Sequence, residues 1–154
     1  RIEHFLVTCN AYSVTHSMLN KKTRYALQAL QYLMDHRAEG PILIAQIASE
    51  KQIPLKFLEN ILLELKNMEV LSSKKGKGGG YFLSPEAIQT PLAKIIRIIE
   101  GPIAMLPCAS LNFYERCANC DEKSCGLHAT MVLVRDATLK VLGTKTIGDL
   151  AKRN

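Results

Sequence analysis

The stretch IAQIASEKQIPLKFLENILLELKNMEVLSSKKGKGGGYFL, residues 44–83, decides the fold. Apolar residues at three- and four-residue spacing predict a short helix over Ile44–Lys51 and a longer amphipathic helix over residues 54–68. Proline is well tolerated in the first turn of a helix, so Pro54 marks the start of the second one. A short helix, a tight turn and a longer amphipathic helix form a helix-turn-helix, whose second helix can enter a DNA major groove. The buried stripe predicted for that second helix consists of Phe57, Leu58, Ile61, Leu62, Leu65 and Met68.

The end of the same stretch predicts a β-hairpin. Two strand-like runs, residues 70–73 and 81–83, enclose a tip rich in lysine and glycine. Lysines on such a tip supply charge to phosphates and glycines let the backbone come close, although a merely solvated hairpin is the alternative. Its position directly after a helix-turn-helix favours a DNA-contacting wing, and a nucleotide-binding P-loop is excluded because the glycines lead into a strand. The candidate contacts are Lys74, Lys75, Lys77, Gly78 and Gly79.

Helical patterns flank this stretch on both sides. Residues 21–37 and 91–100 predict helices that end at Gly-Pro pairs, and residues 127–143 predict a long helix followed by a short one from Thr146 to Leu150. A long apolar helix outside a compact head is a natural dimer seam, and packing back on its own domain is the alternative. We therefore expect a mainly α fold with a small β-wing, a winged helix-turn-helix head plus a long dimerisation helix. The seam is predicted from Met131, Val134, Thr138, Val141 and Leu142.

Composition and charge agree with a small DNA-binding protein. The chain has 154 residues, of which 47% are hydrophobic and 22% charged, which is typical of a globular domain. Its net charge of +6 attracts polyanions. No apolar run reaches membrane-spanning length and no secretory signal is visible, so we expect a cytoplasmic protein without a membrane partner.

The chain divides into four predicted segments. Residues 1–17, which include Cys9, lack a regular apolar period, and we interpret them as an expression remnant or an over-long gene start before Met18. A native N-terminal arm is the alternative. Residues 18–100 form the winged DNA-binding head, residues 101–126 a cysteine-rich sensor loop, and residues 127–154 the dimerisation helix and a C-terminal short helix.

Four of the five cysteines, Cys108, Cys117, Cys120 and Cys125, lie in the predicted sensor loop, and His128 follows three residues later. The first and last members of a Cys-x-x-Cys unit can bind the same metal, and residues 125 and 128 are one helical turn apart. Three chemistries suit this set: an iron–sulfur cluster, a zinc site, or a disulfide switch. Structural disulfides are disfavoured in a reducing cytoplasm. A thiol redox enzyme is the remaining alternative, but no catalytic arrangement accompanies the cysteines, so we expect no enzyme.

Three motifs in this chain, KTRYAL at residues 22–27, LENIL at residues 58–62 and GGGY at residues 78–81, resemble the Rrf-type (IscR-, NsrR- and CymR-like) family of winged-helix transcriptional regulators. The resemblance implies a homodimeric repressor that binds palindromic promoter DNA. It also implies a [2Fe–2S] or [4Fe–4S] cluster, with zinc as the alternative. Lys75 matches the wing position that often carries a groove-reading arginine. The other DNA contacts implied are Lys22, Arg24, Tyr25, Lys56 and Asn60.

The sensor loop departs from the family pattern. Cluster-binding members commonly have near-regular gaps between three cysteines, whereas eight, two and four residues separate the cysteines here. Cys125 and His128 match the family's Cys-x-x-His ending, and Cys108 matches the first cysteine. Cys117 and Cys120 compete for the middle place, and some family members sense small molecules or partner proteins without a cluster.

Overall fold

The structure, a computed structural model, describes residues 19–118 and 120–152 and is mainly helical, with one two-stranded antiparallel sheet. Expectations for residues 1–17, Cys9 and Met18 lie outside the described residues. Short 3-10 turns at Arg37–Glu39, Pro85–Gln89, Pro107–Ala109 and Ile147–Leu150 join the main elements. These elements are α1 (Lys21–Asp35), α2 (Ile44–Lys51), α3 (Leu55–Asn67), β1 (Leu71–Lys74), β2 (Gly80–Leu83), α4 (Leu92–Glu100) and α5 (Gly126–Thr144).

The helix-turn-helix is confirmed, with α2 at its predicted bounds and α3 starting directly after Pro54. Gln52 ends α2 in a left-handed conformation, with φ of 52°. The predicted buried stripe of α3 is wrong at Phe57, which is 39% exposed. The Phe57 ring is turned toward α1, where it meets Tyr25 edge-on at 5.8 Å between centroids. The α3 side chains that do enter the core are Leu58, Ile61, Leu62 and Leu65.

The hairpin pairs β1 with β2 in the register Leu71↔Leu83 to Lys74↔Gly80. A third segment joins it, since Ile42 and Tyr81 exchange two backbone hydrogen bonds of 2.9 and 2.8 Å. Gly80 lies beside this bridge with φ of +152°, and a Cβ atom there would be 2.3 Å from the carbonyl oxygen of Ile42. Only glycine lets the two backbones come this close. The hairpin is therefore held against the segment that precedes α2.

The first helix is capped by side chains from both ends of the head. The Asn20 side chain accepts the Thr23 N–H at 2.8 Å, which satisfies one free donor of the first turn of α1. The Glu100 carboxylate, at the last residue of α4, accepts the Asn20 N–H at 3.1 Å and the Thr23 hydroxyl. Thr23 is fully buried, so this cluster ties the start of α1 to the end of α4.

The C-terminal turn packs into the head. Ile147 is fully buried in the core cluster of the head, and Thr146 and Asp149 form a capping box around the turn. Backbone hydrogen bonds join it to the start of α4, with Leu92 N–H donating to the Lys145 carbonyl at 2.7 Å.

The long helix α5 packs against α4 along one side only. Val134, Thr138 and Leu142 line a cavity of about 320 Å³ that Ile96 and Glu100 of α4 also line. None of the 19 residues of α5 is fully buried. Part of the predicted dimer seam therefore faces the protein's own head, whereas Val141 is 59% exposed. Within the described chain, no helix is both long and apolar enough to span a membrane.

Candidate functional site

The outer face of α3 carries the predicted recognition residues. Lys56 and Asn60 are both exposed, as the pattern required. The Lys56 side chain is 89% exposed and its Nζ lies 2.9 Å from the carboxylate of Glu59, one turn along the helix. An ion pair this exposed contributes little free energy in water, so Lys56 remains available to bind an anion.

The start of α1 lies against α3. Lys22 Nζ forms a 2.6 Å ion pair with Glu64 of α3, so its charge is already partnered. Arg24 is exposed, with its guanidinium 5.9 Å from the ring centroid of Tyr25. Because the half-buried Tyr25 ring also packs on Phe57, the predicted contacts of the two helices form one surface.

The wing lysines Lys74, Lys75 and Lys77 are exposed and form no ion pair with any residue that the structure describes. Gly78 is exposed at the tip with φ of +73°. Gly79 is buried, and its N–H donates to the Gly76 carbonyl at 2.9 Å inside the turn. The unpartnered positive charge of the site is thus concentrated on the wing, and the Gly79 amide serves the hairpin.

Three of the predicted metal ligands come together in the loop before α5. The Cys120 thiol interacts with both Cys117 and Cys125. The hydrogen bond with Cys117, together with desolvation and the sulfur of Cys125, raises the pKa of Cys120 to about 12. None of the four described cysteines is part of a disulfide.

Cys125 and His128 meet at the start of α5, as their spacing predicted. Cys125 is the N-cap residue, and its sulfur accepts the backbone N–H of His128 at 3.4 Å. The Nδ1 atom of His128 is buried and has no hydrogen-bond partner among the described residues. A buried imidazole nitrogen without a partner is uncommon and marks an atom that a ligand could satisfy.

Cys108 is half-buried and lies on the 3-10 turn Pro107–Ala109. Two contacts near it were not anticipated from the sequence. Tyr114 donates a 2.7 Å hydrogen bond to Glu122, which raises the pKa of Tyr114. Arg135 of α5 donates a 2.6 Å hydrogen bond to the carbonyl of Ala109. No signal in the sequence points to the second contact, because its acceptor is a backbone carbonyl, which every residue has.

The cysteine loop supplies the donor atoms that a thiolate-ligated centre needs. Thiolates and an imidazole suit iron–sulfur clusters and zinc alike. In the described part of the chain, however, no three His, Cys, Asp or Glu side chains are placed to hold a metal ion. The donor chemistry fits such a centre, and the side chains must rearrange before they can coordinate one.

These elements define a winged helix-turn-helix protein of the DNA-binding class. The Rrf2 family, described as an iron-dependent transcriptional regulator, matches residues 19–153, and the chain belongs to this family.

Relatives and solved structures agree with this assignment. An rrf2-like HTH-type transcriptional regulator from Rhodobacter capsulatus is 36% identical over 137 residues, covering 86% of this chain and 91% of that protein. The HTH-type transcriptional regulator IscR from Xenorhabdus nematophila is 29% identical, covering 87% of this chain and 79% of that protein. The structure of CymR, the global cysteine regulator of B. subtilis, superposes with a TM-score of 0.71 at 29% identity, covering 88% of this chain and 96% of that one. The chain is a transcriptional regulator of this family.

Proposed function

We propose that the chain is a homodimeric repressor that binds palindromic promoter DNA in the bacterial cytoplasm and whose DNA affinity is set by a centre held in the cysteine loop. The observation that carries the DNA-binding part is the charge of the wing. Lys74, Lys75 and Lys77 are exposed without a described ion partner, whereas Lys22 and Lys56 each have a carboxylate within 3 Å. Free lysines displace counterions from DNA, so the wing supplies the salt-dependent term of binding and α3 supplies base contacts.

The DNA test compares two lysine-to-alanine variants. In Lys75→Ala, the slope of log K against log salt concentration should become shallower by about 0.9, the value for one lost phosphate contact. The matched control is Lys140→Ala, which removes the same charge from an exposed position on α5. Fluorescence anisotropy with a labelled promoter duplex measures both slopes. Equal slopes for Lys75→Ala and the wild type would contradict the wing contact.

The dimer part of the proposal is supported by the outer face of α5. Five positions at three- and four-residue spacing are all exposed, and none carries a charge: Thr130, Leu133, Ala137, Val141 and Thr144. Leu133 and Val141 are 69% and 59% exposed. A seam of this spacing pairs two helices, and a twofold dimer matches a palindromic site.

The dimer test places a charge in this seam. Leu133→Glu should elute as a monomer in size-exclusion chromatography with light scattering, because a carboxylate buried at the twofold axis would face its own copy. Leu63→Glu is the control, since it makes the same substitution at a leucine that is 53% exposed on α3, away from α5. A monomeric wild type, or a dimeric Leu133→Glu, would refute α5 as the interface.

The regulatory part assigns Cys108, Cys125, His128 and one or both of Cys117 and Cys120 as ligands of an iron–sulfur cluster. Such a cluster would supply redox or nitric-oxide sensitivity. The unpartnered Nδ1 of His128 and the adjacent thiols at residues 117, 120 and 125 support this set. The alternatives are a structural zinc ion held by the same ligands and a disulfide switch between two of the cysteines.

Anaerobic purification separates these alternatives. A brown protein containing iron and sulfide, whose visible absorbance is lost in Cys125→Ala, supports the cluster. A colourless protein with about one zinc per chain supports the zinc site instead. A colourless, metal-free protein that gains an intramolecular disulfide on mild oxidation supports the thiol switch, and in that case the ligand role of His128 is refuted.

A further inference from the structure

Arg135 is the one residue of α5 that is seen to hold the Cys108 turn by a side-chain hydrogen bond within the described chain. Its side chain is only 12% exposed. Nη1 donates to the Ala109 carbonyl at 2.6 Å, while Nε and Nη2 lie 2.8 and 2.7 Å from Oδ1 of Asp136. The guanidinium thus uses one edge for the turn and the other for its counter-charge.

The turn that Arg135 holds leads into the most buried part of the cysteine loop that the structure describes. Ala109 is fully buried and Ser110 is 7% exposed, whereas residues 111–118 are all exposed. Within the turn, Ser110 accepts the Phe113 N–H at 3.1 Å, and Pro107 accepts the Glu115 N–H at 3.3 Å. The turn is compact, and Cys108 lies inside it.

The last two members of the predicted ligand set, Cys125 and His128, lie at the start of the helix that carries Arg135. Cys125 caps α5, and His128 precedes Arg135 by seven residues, about two turns, so the two side chains emerge from the same side of the helix. One helix therefore carries the last two ligands and also holds the backbone next to the first one.

We propose that Arg135 is the positioning residue that fixes Cys108 relative to Cys125 and His128 and passes a change in the bonding of Cys108 on to α5. The regulatory half of this inference rests on the proposed function. The half concerning position does not, because it follows from the hydrogen bond to Ala109 whatever the cysteines bind. A movement of the turn Pro107–Ala109 displaces the Ala109 carbonyl. The hydrogen bond transmits this displacement to Arg135, and Arg135 transmits it to α5, whose outer face carries the exposed seam.

The first test measures the accessibility of Cys108 in reduced, metal-stripped protein. The probe is N-ethylmaleimide, with alkylation of each cysteine followed by peptide mass spectrometry. In Arg135→Gln, Cys108 should be alkylated about tenfold faster than in the wild type, because one charge-assisted hydrogen bond no longer closes the turn. Cys117, which is already exposed, should react at an unchanged rate.

Two further variants keep this test decisive. Lys140→Gln removes the same charge from an exposed position of α5 and should leave Cys108 at the wild-type rate. Arg135→Lys can still donate to the Ala109 carbonyl and should restore most of the protection. Wild-type reactivity of Cys108 in Arg135→Gln would overturn the inference, and so would equal acceleration at Cys108 and Cys117, which reports general loosening.

The second test measures the ratio of DNA affinities between protein reconstituted with iron(II) and sulfide and stripped protein. Arg135→Gln should bring this ratio close to one while the stripped protein keeps the wild-type affinity. An unchanged ratio overturns the regulatory half. If the wild type binds no DNA, or its ratio is already one, the proposed function fails, and the alkylation rates still decide whether Arg135 positions Cys108.

Discussion

Replacing Gly80 by alanine should destabilise the head far more than its place on a surface wing suggests. A Cβ atom at this position would lie 2.3 Å from the carbonyl oxygen and 2.8 Å from the amide nitrogen of Ile42, which are backbone atoms that no rotamer change can move away. The strand must shift, so the two hydrogen bonds between Ile42 and Tyr81 are lost at about 1 kcal/mol each. The positive φ of +152° adds about 1 kcal/mol for a residue with a side chain.

The total is about 3 kcal/mol, which lowers the melting temperature by about 10 °C for a chain of this size. Differential scanning calorimetry of Gly80→Ala against Gly76→Ala measures it. Gly76 has φ of +89° but open space around its Cβ direction, so its alanine variant carries the backbone cost of about 1 kcal/mol alone. If the two variants melt within a degree or two of each other, the close approach to Ile42 is not what requires glycine.

Three other changes probe how the head is held together. Glu100→Gln should lower the free energy of unfolding by about 2 kcal/mol in urea titrations, because the carboxylate that receives the Asn20 N–H and the Thr23 hydroxyl loses its charge. Ile147→Ala should lower it by about 3 kcal/mol in the same assay if the C-terminal turn is part of the core, and an effect under about 1 kcal/mol would show that it is not. Hydrogen bonds from Thr146 hold the pKa of Asp149 below its ordinary 3.8, so its contribution is present above the unfolded-state pKa and lost as pH falls through the folded-state pKa. The difference in melting temperature between the wild type and Asp149→Asn should therefore shrink in acid, and a constant difference would contradict the capping box.

Most of the head could be predicted because its signals are local. Periodicity located α2, and Pro54 and the Gly101-Pro102 pair located helix ends, because these residues fix backbone geometry wherever they stand. The position of Phe57 could not be predicted in this way. It falls on the apolar stripe of α3, but α1 lies beside that edge of the helix and the ring packs on Tyr25 at the surface. The surface position of Phe57 depends on how α1 and α3 pack together, and the periodicity of one helix carries no information about that packing.

The candidate site likewise has features that the sequence predicts and features that it does not. The exposure of Lys56, Asn60 and the wing lysines follows from one-helix and one-hairpin geometry and was predicted. The ion pair that occupies Lys22 joins residues 42 positions apart, and the Arg135 contact joins a side chain to a backbone carbonyl, which leaves no trace in residue types. The cysteines were found by their clustering, but their spacing does not determine which of Cys117 and Cys120 belongs with Cys108.

The exposure of residues 111–118 bears on how the cysteine loop can regulate the head. A segment that buries almost nothing gains little free energy from its own packing, and under the proposed function a ligand held by the loop cysteines would supply the energy that orders it. Ligand binding and DNA binding are then linked reciprocally, and a coupling of about 1–3 kcal/mol, the usual range, suffices for a 5- to 150-fold change in DNA affinity. That amount is comparable to one or two charge-assisted hydrogen bonds, which is the scale of the contact that Arg135 makes with Ala109. Under the proposed function, a single well-placed hydrogen bond between the Ala109 turn and α5 is therefore strong enough to carry the whole regulatory signal.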